Sequence, residues 1–188
     1  GYKKVKAAVF ISGTGSNLKS LIKFSKKKKS PIYIKLIVSN NSKAKGLKYG
    51  KLFKIEKKVF NFKIKTLAEK SILIQLKKNN IQLICLAGFM KILTKNFINK
   101  FKGEILNIHP SLLPKYKGLN THERVLQNNE KYSGCTVHLV NSNLDAGKII
   151  LQSKIKINKK ETSKSLAKRI LEKEHKLYPK AILKLFSL

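Results

Sequence analysis

Three polar residues of this chain have side chains suited to acyl-transfer chemistry: Asn107, His109 and Asp145. The first two lie in the segment Asn107–Pro114, Asn-Ile-His-Pro-Ser-Leu-Leu-Pro, and the third lies in Leu144–Gly147, Leu-Asp-Ala-Gly. An amide N–H can donate to a developing oxyanion, an imidazole can carry a proton, and a carboxylate can hold that proton in place. These groups suit the transfer of a small acyl group such as formyl to an amine, so we interpret the chain as an enzyme.

Simpler interpretations compete with a catalytic role for Asp145 and for the histidines of the chain. Asp145 precedes small residues and on its own is best explained as a turn former. His109 is favoured as functional because Pro110 disfavours the helical region for the preceding residue, which leaves the side chain projecting from a strand end. The other three histidines are expected to be ordinary surface or core residues: His122, His138 and His175.

The elements that must position these residues are read from hydrophobic periodicity. Apolar runs rich in β-branched residues alternate with helical patterns, which predicts an α/β fold: an open, mostly parallel, twisted sheet with helices on both faces and some antiparallel pairing near the C-terminal part. The 188 residues suit one domain, 1–188. The predicted strands are Val5–Ile11, Tyr33–Ser39, Phe53–Ile55, Gln82–Ala87, Ile105–His109, Thr136–Val140 and Ile149–Ile157. The predicted helices are Asn17–Phe24, Ala44–Tyr49, Lys65–Lys78, Thr94–Phe101, Arg124–Asn128 and Ser163–Phe186. Two prolines and a glycine make Pro110–Asn120 an irregular excursion.

The formal charge of +33 favours a polyanionic partner at first sight. The cations are almost all lysines spread along the chain, however, and base reading favours arginine, of which the chain has only Arg124 and Arg169. We therefore expect solvated lysine faces, with Lys26–Lys29 as an exposed turn, and no specific nucleic-acid partner.

Cysteine usage and hydropathy narrow the remaining classes. Cys85 and Cys135 lie in apolar surroundings without Cys-x-x-Cys spacing, which favours buried small side chains over a zinc site or redox pair. No apolar run reaches membrane-spanning length, and no signal-peptide run precedes the first strand. We expect a cytoplasmic protein that uses no metal.

The segment Gly13–Asn17 is a glycine-rich turn between the first strand and the first helix. Backbone N–H groups and a helix N-terminus can hold a phosphate at such a turn. An ordinary turn with Ser16 or Asn17 as helix cap is an equally good explanation from the residues alone.

Four motifs in order resemble those of the folate-dependent formyltransferases: Ile11–Asn17, Leu86–Leu93, Asn107–Pro114, and Glu174–His175 with Tyr178–Pro179. The resemblance runs from Val9 to about Pro179 and narrows to the branch that formylates glycinamide ribonucleotide in purine biosynthesis. It implies a Rossmann-like formyltransferase fold, with 10-formyltetrahydrofolate as co-substrate and 5-phosphoribosylglycinamide as acceptor. It also implies that the N-terminal half binds the ribotide phosphate, and that the C-terminal half binds folate and carries catalysis.

The resemblance also implies roles for individual residues. Asn107 and His109 would hold the oxyanion, and Asp145 would support His109; the proton would travel through His109 or through water near Asp145. The ribotide would be held by Gly15, Ser16, Asn17 and Glu174. The folate would be held by Lys65, Met90, Lys91, Ile92, Leu93 and Asn107. Lys65 and Lys91 stand where the family more often has arginine, and lysine keeps the charge but lacks the bidentate fork with which arginine would bind the folate tail. Ordinary packing competes with the folate role for residues 90–93, and a solvated helix face competes with the ribotide role for Glu174. The resemblance also allows His138 to lie near the site.

Three other functions stay open. A methionyl-tRNA formyltransferase shares the Asn-x-His motif but normally carries a further C-terminal domain, and a formyltetrahydrofolate hydrolase normally carries an additional N-terminal domain. A non-catalytic polyanion-binding α/β protein would show salt-dependent nucleic-acid binding that loss of His109 leaves unchanged. A monomer and a homodimer are both compatible with the sequence.

Overall fold

The computed structural model describes residues 4–186, which contain seven strands and six α-helices. The strands are β1 (Val5–Ile11), β2 (Ile32–Ser39), β3 (Glu56–Val59), β4 (Leu83–Leu86), β5 (Glu104–His109), β6 (Tyr132–Leu139) and β7 (Ile149–Lys156). The helices are α1 (Ser16–Ser25), α2 (Lys48–Phe53), α3 (Lys65–Lys78), α4 (Lys95–Lys100), α5 (Thr121–Gln127) and α6 (Ser163–Leu185), with a 3₁₀ turn at Lys45–Leu47 before α2.

The strands form one sheet in the order β3-β2-β1-β4-β5-β6-β7. β1 pairs in parallel with β2 and β4, and β2 pairs in parallel with β3, whereas β6 and β7 are antiparallel. This confirms the predicted α/β sheet, including antiparallel pairing among the C-terminal strands. The chain divides into two compact units between Leu106 and Asn107.

The first unit is built around strands that are buried on both faces. Ala7 to Ile11 of β1 and Leu83 to Cys85 of β4 are fully buried, as expected for parallel strands covered by helices. Leu18, Leu21 and Ile22 give α1 a fully buried face. Burial of each such Leu or Ile contributes about 1.5–3 kcal/mol, so the strand ends in this unit are held in place by a well-packed core.

The second unit packs its long helix against the antiparallel pair. α6 contacts both β6 and β7 and contributes fully buried residues, among them Ile170, Tyr178 and Ile182. The helix begins at a capping box in which Thr162 accepts from the Ser165 backbone N–H and the Ser165 hydroxyl accepts from the Thr162 N–H. α6 thereby supports β6 and β7, the two strands that flank Asp145 in the sequence.

The predicted strand Phe53–Ile55 is wrong. Phe53 ends α2, Lys54 has the left-handed φ of 56° that closes the helix, and the strand begins only at Glu56. β3 is a short, charged edge strand, so it lacks the apolar run that directed the prediction to the residues before it.

Several other predictions are confirmed. Cys85 and Cys135 are both buried and form no disulfide, and residues 26–29 are exposed after α1. The segment between β5 and α5 has no helix or strand, as expected for Pro110–Asn120. A separate observation is that no helix among residues 4–186 is both long enough and apolar enough to cross a membrane.

Candidate active site

His109, at the carboxyl end of β5, lies beside Asp145 in the second unit. The His109 Nδ1 atom is 3.5 Å from Asp145 Oδ2, and both side chains are 7% exposed. The other ring nitrogen, Nε2, is 2.8 Å from the carbonyl oxygen of Tyr116, which requires Nε2 to be the donor. The structure therefore brings together two of the three residues singled out for chemistry.

Asp145 lies in a left-handed turn, and its carboxylate accepts a hydrogen bond from the backbone. Its φ of 46° is left-handed, a conformation that Asp tolerates better than most residues. Oδ2 accepts a hydrogen bond of 2.9 Å from the Gly118 N–H. Asp145 therefore both forms a turn and lies beside His109, so the two interpretations of this residue are compatible.

Asn107 contacts His138, a histidine that is expected to be ordinary from the residues alone but that the family resemblance allows near the site. The Asn107 Nδ2 atom is 3.3 Å from His138 Nε2, and His138 Nε2 is 3.7 Å from Asp145 Oδ1. His138 is 2% exposed and its Nδ1 lies 2.9 Å from the Leu139 carbonyl oxygen. The structure therefore places His138 within the same cluster as Asn107 and Asp145.

The protonation of His138 follows from its surroundings. Burial lowers the pKa of His138, although the hydrogen bond to Leu139 and the charge of Asp145 act in the opposite direction. The neutral ring must carry its proton on Nδ1, facing the Leu139 carbonyl, so Nε2 accepts a hydrogen bond from Asn107. One amide N–H of Asn107 is thereby used, and the second is available to another acceptor.

His122 is a further imidazole that interacts electrostatically with His109 of this cluster. It lies in the first turn of α5, and its pKa is lowered chiefly by burial and also by the charge of His109. No polar partner is found for its buried Nδ1 atom among residues 4–186. No sequence signal distinguished His122, because a histidine in an amphipathic helix start is usually structural.

Glu174 is buried on α6 and not on a solvated helix face. It is 7% exposed, and its charge contributes, after burial, to raising the pKa of the Cys135 thiol to about 12. The solvated-face interpretation of Glu174 is therefore wrong, and Cys135 stays an unreactive thiol at neutral pH.

In the first unit, the predicted phosphate turn has the geometry of an open helix start. Gly15 is the N-cap residue of α1, with φ 73° and no side-chain cap, so Ser16 and Asn17 do not cap the helix as the competing interpretation required. A Cβ on Gly15 would lie 2.7 Å from Gly46 Cα. Glycine is therefore required both by the left-handed φ and by the close approach of a second backbone.

The Met90–Leu93 segment in the same unit is connected to the loop that follows β1. The Met90 N–H donates to Ser12 Oγ at 2.8 Å, and Asn41 Nδ2 donates to the Ser12 carbonyl at 3.2 Å. Met90 and Ile92 are each 61% exposed, Lys91 is exposed, and Leu93 is buried. Sequence reasoning missed Ser12 and Asn41, although a polar residue directly after a buried strand is a usable signal at a sheet edge.

Lys65 begins α3 and is half-buried, and the same helix holds the end of the Met90–Leu93 segment. Glu69, 3% exposed, accepts from the Thr94 N–H at 2.8 Å and from the Thr94 hydroxyl. Thr94 in turn caps α4. Among the described residues, 4–186, no group of three His, Cys, Asp or Glu side chains is placed to hold a metal ion.

Comparison with known proteins decides the family. Residues 5–182 match the family described as formyl transferase. The chain belongs to the formyl transferase family. This confirms the family predicted from the sequence and, with it, the class of enzyme, a transferase.

Individual relatives agree with this assignment. The chain is 41% identical over 180 residues to phosphoribosylglycinamide formyltransferase of Haemophilus influenzae, covering 94% of this chain and 85% of that protein. It is 40% identical over 183 residues to the human trifunctional purine biosynthetic protein adenosine-3, covering 96% of this chain but only 18% of that protein. The crystal structure of phosphoribosylglycinamide formyltransferase from Brucella melitensis superposes with a TM-score of 0.92 at 41% identity, covering 98% of this chain and 96% of that one.

Proposed function

We propose that this chain transfers the formyl group of 10-formyltetrahydrofolate to the amine of 5-phosphoribosylglycinamide, giving 5-phosphoribosyl-N-formylglycinamide in purine biosynthesis. The observation that carries the proposal is the cluster in the second unit that joins half-buried Asn107 to the buried side chains of His109, His138 and Asp145. The cluster offers an amide donor, a proton carrier and a carboxylate together, which is the set that formyl transfer to an amine uses.

Asn107 is assigned to the oxyanion that forms when the amine attacks the formyl carbon. His138 accepts one Asn107 N–H and so fixes the amide plane, leaving the other N–H to bind the negative oxygen of the tetrahedral intermediate. A donor fixed in advance does not need to reorient as charge develops. This assignment makes His138 a positioning residue for Asn107.

His109 is assigned to the second hydrogen bond to that oxygen and to proton movement. Asp145, 3.5 Å from Nδ1, holds the ring and balances the charge of the protonated imidazole. The proton leaves the attacking nitrogen and reaches the departing folate nitrogen, and the overall transfer consumes no proton. Nε2 is engaged by the Tyr116 carbonyl in this structure, so the Nε2–H becomes available to the substrate only after that contact opens.

The first unit is assigned to binding. Gly15, Ser16 and Asn17 would hold the ribotide phosphate with backbone N–H groups at the start of α1, a use that the uncapped helix N-terminus supports. Exposed Met90 and Ile92 would flank the folate ring, with Lys91 and Leu93 in the same segment and Lys65 as the cation for an acidic tail. Glu174 is assigned to the ribotide from its burial on α6. A cytoplasmic location and a monomeric or homodimeric state remain predictions.

The test is a spectrophotometric formyl-transfer assay with 10-formyltetrahydrofolate, in the presence and absence of 5-phosphoribosylglycinamide. Wild-type protein is expected to turn over only with the acceptor. The His109→Ala variant is expected to lose at least about a hundredfold in kcat, the usual contribution of a general acid–base group. His175→Asn, a change on α6, serves as the matched control and is expected to retain activity.

Other outcomes would assign other functions. Release of formyl without acceptor would indicate a hydrolase, and turnover with formyl-accepting methionyl-tRNA alone would indicate the tRNA enzyme. No turnover, together with tight, salt-dependent binding of RNA that His109→Ala does not change, would overturn the enzymatic proposal.

A further inference from the structure

Both ring nitrogens of His109 are engaged inside the second unit. Nε2 faces the Tyr116 carbonyl at 2.8 Å, and Nδ1 faces Asp145. A ring N–H that points at a carbonyl at this distance is not free to donate to a substrate oxygen. The availability of His109 for the reaction therefore depends on what holds Tyr116 in place.

Tyr116 is held by its side chain while its backbone is strained. Its φ of 56° is left-handed, which is uncommon for an aromatic residue and requires support from neighbouring contacts. The Tyr116 hydroxyl donates to Glu130 Oε1 at 3.0 Å and accepts from Asn128 Nδ2 at 3.1 Å. Lys115 donates to the same Glu130 oxygen at 3.0 Å.

Arg124 on α5 supplies the contacts that close the rest of this loop, residues 110–120. Its Nη1 donates to the Lys117 carbonyl at 2.7 Å and to the Leu119 carbonyl at 3.1 Å, and its guanidinium lies 5.4 Å from the centre of the Tyr116 ring. A planar guanidinium can stack on a ring and bridge two carbonyls together, whereas a lysine ammonium is a single point charge. Arg124 is one of only two arginines in this lysine-rich chain.

We infer that Arg124 is a positioning residue that anchors the 110–120 loop, so that the Tyr116 carbonyl stays hydrogen-bonded to His109 Nε2. His109 can then donate to the substrates only when this anchor is released. The inference rests on the proposed function, in which His109 must contact the reacting group. Arg124 acts on His109 through the 110–120 loop and not by touching the reacting atoms.

The kinetic test compares Arg124→Lys with Arg169→Lys, a matched change at the only other arginine, which pairs with Glu161 on the same unit. Weakening the anchor raises the fraction of enzyme with a free His109, so kcat/KM is expected to rise by about threefold in Arg124→Lys. Arg169→Lys is expected to leave kcat/KM unchanged. A purely structural role for Arg124 would lower kcat/KM, so the sign of the change separates the two roles.

A second readout does not depend on activity. In ¹⁵N-labelled protein, the His109 Nε2–H signal, identified by its absence in His109→Ala, is expected to exchange with solvent several-fold faster in Arg124→Lys. Glu130→Gln, which keeps an acceptor but loses the charge, is expected to show a smaller change of the same sign. Unchanged exchange in Arg124→Lys, or faster exchange with a lower kcat/KM, would overturn the inference. If wild-type protein transfers no formyl group, the proposed function fails while the exchange measurement still tests the anchor.

Discussion

At the scale of single residues, the proposed chemistry depends on how neighbours restrict each side chain. Asn107 has two amide N–H groups and can rotate freely unless one of them is held. His138 holds one of them because burial keeps the imidazole neutral, with its proton directed to the Leu139 carbonyl. A histidine without any proton-transfer role is therefore expected to control the geometry of the oxyanion donor.

The first prediction tests whether His138 positions the Asn107 amide, and it uses two substitutions whose side chains differ in length. Gln at position 138 can place an acceptor near the position of Nε2, whereas Asn is too short. His138→Asn is expected to lower kcat by about tenfold, less than the ~10²–10³-fold loss when an oxyanion donor is removed outright. His138→Gln is expected to stay within about threefold of wild type, since the held amide is retained. Steady-state kinetics with both substrates measure the effect, and KM is expected to change little. Equal losses in the two variants would contradict the role assigned to the Nε2 acceptor.

At the scale of elements, the turn between β1 and α1 is shaped by two backbones that touch. The Gly46 N–H donates to the Gly13 carbonyl at 2.9 Å, and this brings the 3₁₀ turn of residues 45–47 against Gly15. The start of α1 has no side-chain cap, because its N-cap residue is Gly15. An anion is the natural partner for such an end, because first-turn N–H groups and the helix dipole both favour negative charge.

The second prediction uses the two glycines of this turn as a matched pair. Gly15→Ala forces a left-handed alanine, which costs about 1–2 kcal/mol, and places its Cβ against Gly46 Cα, a backbone atom that cannot rotate away. The KM for the ribotide is expected to rise by about tenfold, equivalent to ~1.4 kcal/mol of lost binding, with a smaller change in kcat. Gly13→Ala is the control, because a Cβ there meets nothing within 4 Å. A rise in the KM for folate alone would contradict the assignment of this turn to the phosphate.

Prediction from sequence succeeded where periodicity and local chemistry agree. The parallel strands of the first unit are continuous apolar runs, and α3 was predicted with its observed bounds, Lys65–Lys78. β3 failed because its residues, Glu-Lys-Lys-Val, carry no apolar signal and pair only through the backbone. The contact between Tyr116 and His109 could not be predicted, since it depends on a left-handed φ at a tyrosine within an irregular loop.

At the scale of the whole molecule, the charge of +33 and the acyl-transfer site impose different requirements. Both proposed substrates are anionic, so the positive field favours their capture at low salt. The positive charges also repel one another within the compact state, and among residues 4–186 only a few lysines have acidic partners, such as Lys115 with Glu130. Additional positive charge is therefore expected to destabilise the folded state.

The third prediction concerns acidification, which adds such charge at the histidines. The pKa values of His122, His138 and His175 are all lowered, in each case chiefly by burial. The unfolded chain then binds more protons than the folded one as the pH falls below about 6.5, so the free energy of unfolding must fall with pH. Each such group contributes a slope of at most about 1.4 kcal/mol per pH unit. The lowered pKa values of Glu130 and Glu161 act in the same direction, but only below their ordinary value of 4.5. Urea unfolding at constant ionic strength between pH 7.5 and 5.0 therefore isolates the histidines.

His138→Asn is expected to give a shallower loss of the free energy of unfolding than wild type, because one buried imidazole is removed. A free energy of unfolding that is flat or rises toward pH 5.0 would show that these rings are protonated without penalty in the fold, and would remove the basis for a neutral His138 beside Asn107.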